Sequence, residues 1–173
     1  MSHTNPSAPD AEALYRALLD QVRAGLEGVA DAAIVGIHSG GAWLAERLAR
    51  DLGLTARLGS IDVSFYRDDY AKKGLHPDVK PTHIGFSVDG ATIVLVDDVL
   101  FTGRTTRAAI NVLFDYGRPE RILLAALVDR GGRQLPVAAD FVGAHVALER
   151  GQSLALARAA DDRLVLTVEE DHV

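Results

Sequence analysis

Three runs in this chain carry almost no polar residue, yet each is too short to make an ordinary helix. They are "AAIVGI" (Ala32–Ile37), "ATIVLV" (Ala91–Val96) and "RILLAALVD" (Arg121–Asp129). A strand with one wet face alternates apolar and polar residues, so a run without alternation belongs to a strand covered on both faces. Amphipathic stretches lie between the runs. "AWLAERLARDL" follows the first. "TTRAAINVLFDYG" (Thr105–Gly117) follows the second, with Ile110, Leu113 and Phe114 on one side and Gly117 as its stop. This alternation predicts an α/β fold, with a mostly parallel twisted sheet flanked by helices.

The remaining elements fit that plan. Asp10 can cap a helix in which Leu14, Leu18, Val22 and Leu26 recur every four residues. "SIDVSFY" (Ser60–Tyr66) alternates as a strand. "FVGAHVAL" and "RLVLTVEE" (Arg163–Glu170) read as later strands. Residues 1–9 read as a flexible polar tail and residues 10–173 as a single domain, a fair size for a chain of 173 residues. With no cysteine, disulfides, thiolate metal sites and cysteine nucleophiles are excluded. No apolar run is long enough to span a bilayer, and the start lacks the charged and apolar regions of a signal peptide. The expectation is a cytoplasmic protein with no membrane partner. Net charge is −6 and pI about 5.4, which disfavours broad binding to nucleic-acid phosphates.

Ligands of parallel sheets bind beyond the carboxyl ends of the strands. Three chemically distinctive segments follow strands here: "HSGG", "DDVLFTGRTT" and "DRGGR". In the second, Gly103 permits close backbone approach, and Thr102, Thr105 and Thr106 offer hydroxyls. The helix that follows presents its N-terminal N–H groups, and together these make a phosphate cradle. A helix cap alone would need one Thr. The segment is neither GxxxxGK[ST] nor GxGxxG. Asp97 and Asp98 stand just ahead of it, suited to the vicinal hydroxyls of a ribose whose 5′-phosphate fills the cradle. They can also hold a divalent metal, directly or through water. If the strand ends there, a turn lets both acids reach one ligand; otherwise they are solvated turn residues. Arg67 to His83 is a long charged loop with no period, either a lid or a surface connection.

"VLVDDVLFTGRTT" resembles the signature of type I phosphoribosyltransferases. "GIHSGGAWLAERLA", "IDVSFYRDDYAKK" and "LVDRGGRQLPVAADFVG" are similar, in order and spacing, to stretches of the pyrimidine-operon attenuation regulator family, whose members double as uracil phosphoribosyltransferases. The resemblance runs from about Asp10 to near the C-terminus. It implies a type I phosphoribosyltransferase-like fold with a flexible lid loop and a small base-binding hood. The implied reaction joins uracil to 5-phosphoribosyl 1-pyrophosphate, giving UMP and pyrophosphate with Mg²⁺ as cofactor. Asp97 and Asp98 would then grip the ribose and metal, and Thr102, Gly103, Arg104, Thr105 and Thr106 the 5′-phosphate. Ser39, Gly40 and Gly41 would bind pyrophosphate. Arg67, Lys72 and Lys73 would be the cations of the lid, and Asp129, Arg130, Phe141 and Val142 would frame the base. A homodimer or homotetramer is implied as well.

The chain departs from the family pattern in three places. Phe101 stands where some purine-using relatives carry an acid, so no carboxylate general base is expected there. Gly40 replaces an arginine, the loss of one charge-assisted contact worth roughly 1.5–3 kcal/mol. The basic residues that relatives use on an mRNA leader are thinned to Arg130 and Arg133, with Arg16 and Arg23 on the first helix offset by acids. Catalysis therefore ranks above the alternative, a UMP- or UTP-sensing RNA-binding attenuator of pyrimidine biosynthesis genes. A receiver-like signalling domain is disfavoured, because its acids would follow the first strand.

Overall fold

A computed structural model describes residues 7–64 and 81–171. In chain order the elements are α1 (Ala11–Gly25), β1 (Ala32–Ile37), α2 (Gly40–Leu52), β2 (Leu58–Ile61), β3 (His83–Ile84) and β4 (Thr92–Leu100). These are followed by α3 (Arg104–Tyr116), β5 (Arg121–Asp129), β6 (Phe141–His145), β7 (Gln152–Arg158) and β8 (Leu164–Glu170). Six strands form one sheet in the order β3-β2-β1-β4-β5-β6, parallel except for β3. The three apolar runs are its central strands β1, β4 and β5. Ile34, Val94 and Ala125 face a core shared with α1 and α2. Their neighbours Ala33, Ile93 and Leu124 face a second core under α3. Each central strand is thus buried on both sides, which is why its sequence does not alternate.

α1 begins where Asp10 accepts from the N–H groups of Glu12 (3.0 Å) and Ala13 (3.4 Å). Its buried stripe is Ala11, Tyr15, Leu18 and Val22. Tyr15 donates to Asp51 Oδ2 at 2.5 Å, and burial together with that carboxylate pushes the phenol well above its ordinary pKa. Ala8, in the segment read as tail, packs against this core.

Several elements differ from the sequence expectation. The strand expected over Ser60–Tyr66 stops at Ile61, where Asp62 Oδ1 takes the Ser64 N–H (2.9 Å) and closes a turn. β4 runs four residues past Val96, so the acids lie inside a strand. Phe114 is 49% exposed, because the buried stripe of α3 is Thr106, Ala109 and Leu113. β7, unread in the sequence, pairs antiparallel with β8 as a separate two-stranded sheet. Leu156, Leu164 and Leu166 of that hairpin join the α1/α2 core. Glu12 pins it further, accepting from Arg47 Nη1 (2.6 Å) and the Leu164 N–H (2.8 Å). Burial raises the Glu12 pKa, but these two partners outweigh it and hold the carboxyl below its ordinary value. Among the described residues no helix is long and apolar enough to cross a membrane.

Candidate active site

The strand order reverses between β1 and β4: from β1 the chain moves outward to β2, then returns to β1's other side as β4. A crevice opens at such a point beyond the carboxyl ends of the strands. β1 pairs with β4 only as far as Gly36–Val96, whereas β4 stays paired with β5 to Leu100–Asp129. Asp97 and Asp98 are therefore the first residues of β4 beyond its pairing with β1. The chain does not turn there, contrary to expectation. Instead the alternation of β4 breaks once: Val96 and Val99 both pack toward the α1/α2 core. Leu95 and Leu100 pack under α3. Asp97 is 7% exposed and its Oδ1 accepts from the Asp98 N–H (2.9 Å). Asp98 Oδ1 accepts from the Val99 N–H (2.8 Å).

The turn from β1 into α2 closes against this pair. A side chain at Gly40 would meet Asp98 Cβ and Cγ at 2.9 Å. One at Gly41 would meet the Val96 carbonyl carbon at 3.2 Å and Asp97 Cα at 3.1 Å. The glycines are required by this close approach. Ser39–Gly41 and Asp97–Asp98, separate in sequence, are thus brought into contact.

The Thr102–Thr106 segment stands on the next side of the crevice. Thr102 is buried, its Oγ1 accepts from the Arg104 N–H (3.3 Å), and its carbonyl accepts from the N–H groups of Gln134 (2.9 Å) and Leu135 (3.2 Å). Gly103 holds φ +94°, a left-handed conformation favouring glycine, and any side chain there would meet Val137 Cγ2 at 2.9 Å. Arg104 reaches Gln134 Oε1 from Nη2 (2.7 Å) and Nε (3.1 Å). Thr106 is 1% exposed, and its Oγ1 makes no hydrogen bond among the described residues. No side chain caps α3 or α2 at the N-cap position, whereas α1, whose start belongs to neither crevice loop, is capped by Asp10. The two helices that begin at the crevice leave first-turn N–H groups and positive dipole ends for an anion.

The far end of the crevice is built by the loop after β5. Asp129 is 8% exposed and accepts from Arg133 Nη2 (2.6 Å) and the Gly131 N–H (2.9 Å). Burial raises its pKa, but Arg133 and the Gly131 N–H more than offset this and hold it below its ordinary 3.8. Arg133 also donates to the carbonyls of Phe101 (2.5 Å) and Val137 (2.9 Å). Arg130 lies over the Phe101 ring, 4.0 Å from its centroid. Removing the guanidinium by Arg133→Ala leaves Asp129 buried without its charge partner, and the expected loss is about 3–5 kcal/mol in urea unfolding at pH 7. The contribution of Asp129 is complete above its unfolded pKa near 4 and is lost as pH falls through its lowered native value. The stability gap between wild type and Arg133→Ala therefore narrows in acid, which unfolding titrations at pH 7 and below pH 4 measure.

Two expected base-framing residues are not at this edge. Phe141 and Val142 pair with Ala125 and Ala126, in the middle of β5, while Asp129 pairs with His145. The Phe141 ring packs against Gly25 of α1, and the backbone of Val142 exchanges hydrogen bonds with Gln21 (2.7 and 3.1 Å). Both are part of the α1–β6 packing. The loop also sets Gln134 on Arg104 and Val137 on Gly103, two residues that the sequence reading did not single out. Arg67, Lys72 and Lys73 lie outside the described residues.

No three His, Asp or Glu side chains converge as a metal cage among the described residues. A carboxylate pair alone suits Mg²⁺, which keeps waters and takes remaining ligands from a substrate polyphosphate.

Comparison with known proteins finds a matching family model and similar chains. The model of the phosphoribosyl transferase domain matches residues 7–150. A bifunctional protein PyrR from Ralstonia nicotianae is 56% identical over 149 residues, covering 85% of each chain. Another from Pseudomonas aeruginosa is 47% identical over 152 residues, covering 87% of this chain and 89% of that one. Among solved structures, a hypoxanthine-guanine phosphoribosyltransferase from Bacillus anthracis superposes with TM-score 0.64 at 16% identity, over 82% of this chain and 84% of that one. A hypoxanthine phosphoribosyltransferase from Trypanosoma cruzi gives 0.59 at 17%, over 83% and 82%. At such identities the two structures speak to the fold alone.

Proposed function

This chain belongs to the phosphoribosyl transferase domain family, alongside the proteins called bifunctional protein PyrR, and we propose that it transfers the phosphoribosyl group of 5-phosphoribosyl 1-pyrophosphate to uracil. The observation that supports this most is the crevice at the strand reversal. There the acid pair Asp97–Asp98 lies between two helix starts that carry no side-chain cap. The α3 start with Thr102, Gly103, Thr105 and Thr106 takes the 5′-phosphate, and the buried Thr106 hydroxyl has no hydrogen-bond partner among the described residues. The acids take the ribose hydroxyls. Ser39, Gly40 and Gly41 take pyrophosphate on backbone N–H groups. Arg130 and Phe101 frame the base at the far end, and no carboxylate stands at position 101 to act on a purine ring.

In the reaction the bond from C1′ to the pyrophosphate oxygen breaks as the bond from C1′ to uracil N1 forms, and the N1 proton passes to water, directly or by way of the released pyrophosphate. Asp97 and Asp98 would hold Mg²⁺ together with the polyphosphate, and the ion would supply neutralisation of charge on the leaving group. The protein's part is positioning and fixed dipoles aimed at developing charge. The test is Mg²⁺-dependent pyrophosphate release from 5-phosphoribosyl 1-pyrophosphate with uracil, hypoxanthine or guanine. Release with uracil alone is expected; release only with the purines would overturn the assignment.

Regulation through an mRNA leader ranks second. Of the basic residues available for it, Arg133 is engaged by Asp129 and two carbonyls, and Arg130 by Phe101 and Gln152. Tight, sequence-specific binding to a pyrimidine-operon leader in a filter-binding titration would reverse that order. A homodimer or homotetramer remains part of the proposal, as do UMP as product and a lid carrying Arg67, Lys72 and Lys73.

A further inference from the structure

Consecutive carbonyls at the end of β4 are held by the loop that follows β5. Leu100 O accepts from the Arg130 N–H (3.0 Å), and Phe101 O from Arg133 Nη1 (2.5 Å). Thr102 O accepts from the N–H groups of Gln134 (2.9 Å) and Leu135 (3.2 Å). The loop is also tied within itself, because Asp129 takes the Gly131 N–H (2.9 Å) and Arg133 Nη2 (2.6 Å). The backbone of 100–102 and that of the loop therefore stand at a fixed separation, and the half-buried Phe101 ring is packed against the loop. The Arg130 guanidinium covers the ring, 4.0 Å from its centroid. Gly132 closes on it from the backbone: a Cβ there would meet Phe101 Cε2 at 2.5 Å and Cδ2 at 3.0 Å. Gly131 and Gly132 both hold left-handed backbone, at φ +72° and +77°, but a Cβ on Gly131 meets nothing within 4 Å.

Left-handed backbone accounts for a glycine at either position; the approach of the ring is particular to the second. With the carbonyls fastened, the loop cannot back away from a side chain at 132, so the ring would have to move. We infer that Gly132 is a positioning residue of the base-binding edge: by carrying no side chain it seats the Phe101 ring against the loop, beside the phosphate cradle that begins at the next residue. An aromatic ring adds to the binding of a flat base through area already in place, and a ring that must first be reoriented loses part of that gain. Two tasks are thereby separated. Backbone hydrogen bonds from the loop hold the cradle, and the space left at 132 sets the ring, so the ring can be displaced with the cradle intact.

The kinetic readout rests on the proposed uracil transfer; the crystallographic one does not. In Gly132→Ala, KM for uracil rises about tenfold, with kcat and KM for 5-phosphoribosyl 1-pyrophosphate little changed. Gly131→Ala carries the same left-handed strain without reaching the ring, and its KM for uracil stays within about twofold of wild type. In a Phe101→Ala background, where the ring is gone, Gly132→Ala adds no further rise. An unchanged KM for uracil in Gly132→Ala would overturn the inference. So would equal rises in the two glycine variants, a joint rise of both KM values, or full additivity with Phe101→Ala, each of which assigns the effect to backbone strain. A crystal structure of Gly132→Ala reads the seat without turnover. A ring moved off the loop upholds it, and a ring in place with the loop displaced refutes it. If the wild type proves to use another base, the proposed function fails while that crystal structure still decides the seat.

Discussion

Replacing Asp97 and Asp98 together by Asn lowers kcat/KM for 5-phosphoribosyl 1-pyrophosphate by about 10²–10⁴-fold, from two charge-assisted hydrogen bonds worth about 1.5–3 kcal/mol each. The folded chain survives the change. Asn keeps a side-chain oxygen to accept the Asp98 and Val99 N–H groups that the two carboxylates hold at 2.9 and 2.8 Å. It also removes two adjacent like charges from a largely buried strand, so urea unfolding shifts little. What Asn cannot do is offer a full negative charge to a ribose hydroxyl or a divalent cation. Calorimetric titration with 5-phosphoribosyl 1-pyrophosphate and Mg²⁺ separates binding from turnover. Affinity equal to wild type would remove the acid pair from the site.

Gly41→Ala is expected to cut kcat/KM by more than about 100-fold and to cost about 1–3 kcal/mol of stability through overpacking. The added methyl group meets backbone: the Val96 carbonyl, with its carbon at 3.2 Å, and Asp97 Cα at 3.1 Å. β4 is held in register by β5 and cannot retreat, so the start of α2 is pushed out of the crevice. Gly40 is a softer case with an instructive sign. The family pattern has an arginine there, and on charge alone restoring it is a gain. In this chain the first atom of that side chain meets Asp98 Cβ and Cγ at 2.9 Å. Asp98 can move only by surrendering its bond to the Val99 N–H. Gly40→Arg therefore lowers pyrophosphate release, and an increase would show that the missing charge outweighs the displaced acid.

What the sequence made legible was governed by burial. β1, β4 and β5 are covered on both faces, so their composition alone announced them, and with them the crevice at their ends. β2 has four residues, β3 has two at the sheet edge, and β7 is padded with alanine, so β3 and β7 carry no period long enough to read and β2 was read with its bounds displaced. The acid pair and the threonine loop were legible because their chemistry is written in consecutive residues. Phe141 and Val142 were misplaced because register is tertiary. Nothing local says that β6 starts opposite Ala125, four residues short of Asp129. Phe114 looked like core because it lies beside Leu113 and near Ile110 on the wheel; α3 buries Thr106, Ala109 and Leu113 instead and leaves it outward. The approach of Gly40 to Asp98 joins the first residue of α2 to β4, and no sequence spacing encodes it.

The uncapped starts of α2 and α3 bear on how the protein behaves in a test tube. A helix start lacking its cap forgoes about 1 kcal/mol that Ser, Thr or Asp would supply. Here that deficit sits at α2 and, in part, at α3, where Thr102 Oγ1 already takes the Arg104 N–H; both starts lie at the crevice. A phosphate compound bound there acts as a removable cap, present in the native chain and absent from the unfolded one. By mass action, free ligand at 100 times its dissociation constant adds about 2.7 kcal/mol to the native state. If the proposed site binds phosphate esters, the protein purified away from them is expected at its least stable, with a melting temperature that rises with the concentration of 5-phosphoribosyl 1-pyrophosphate added.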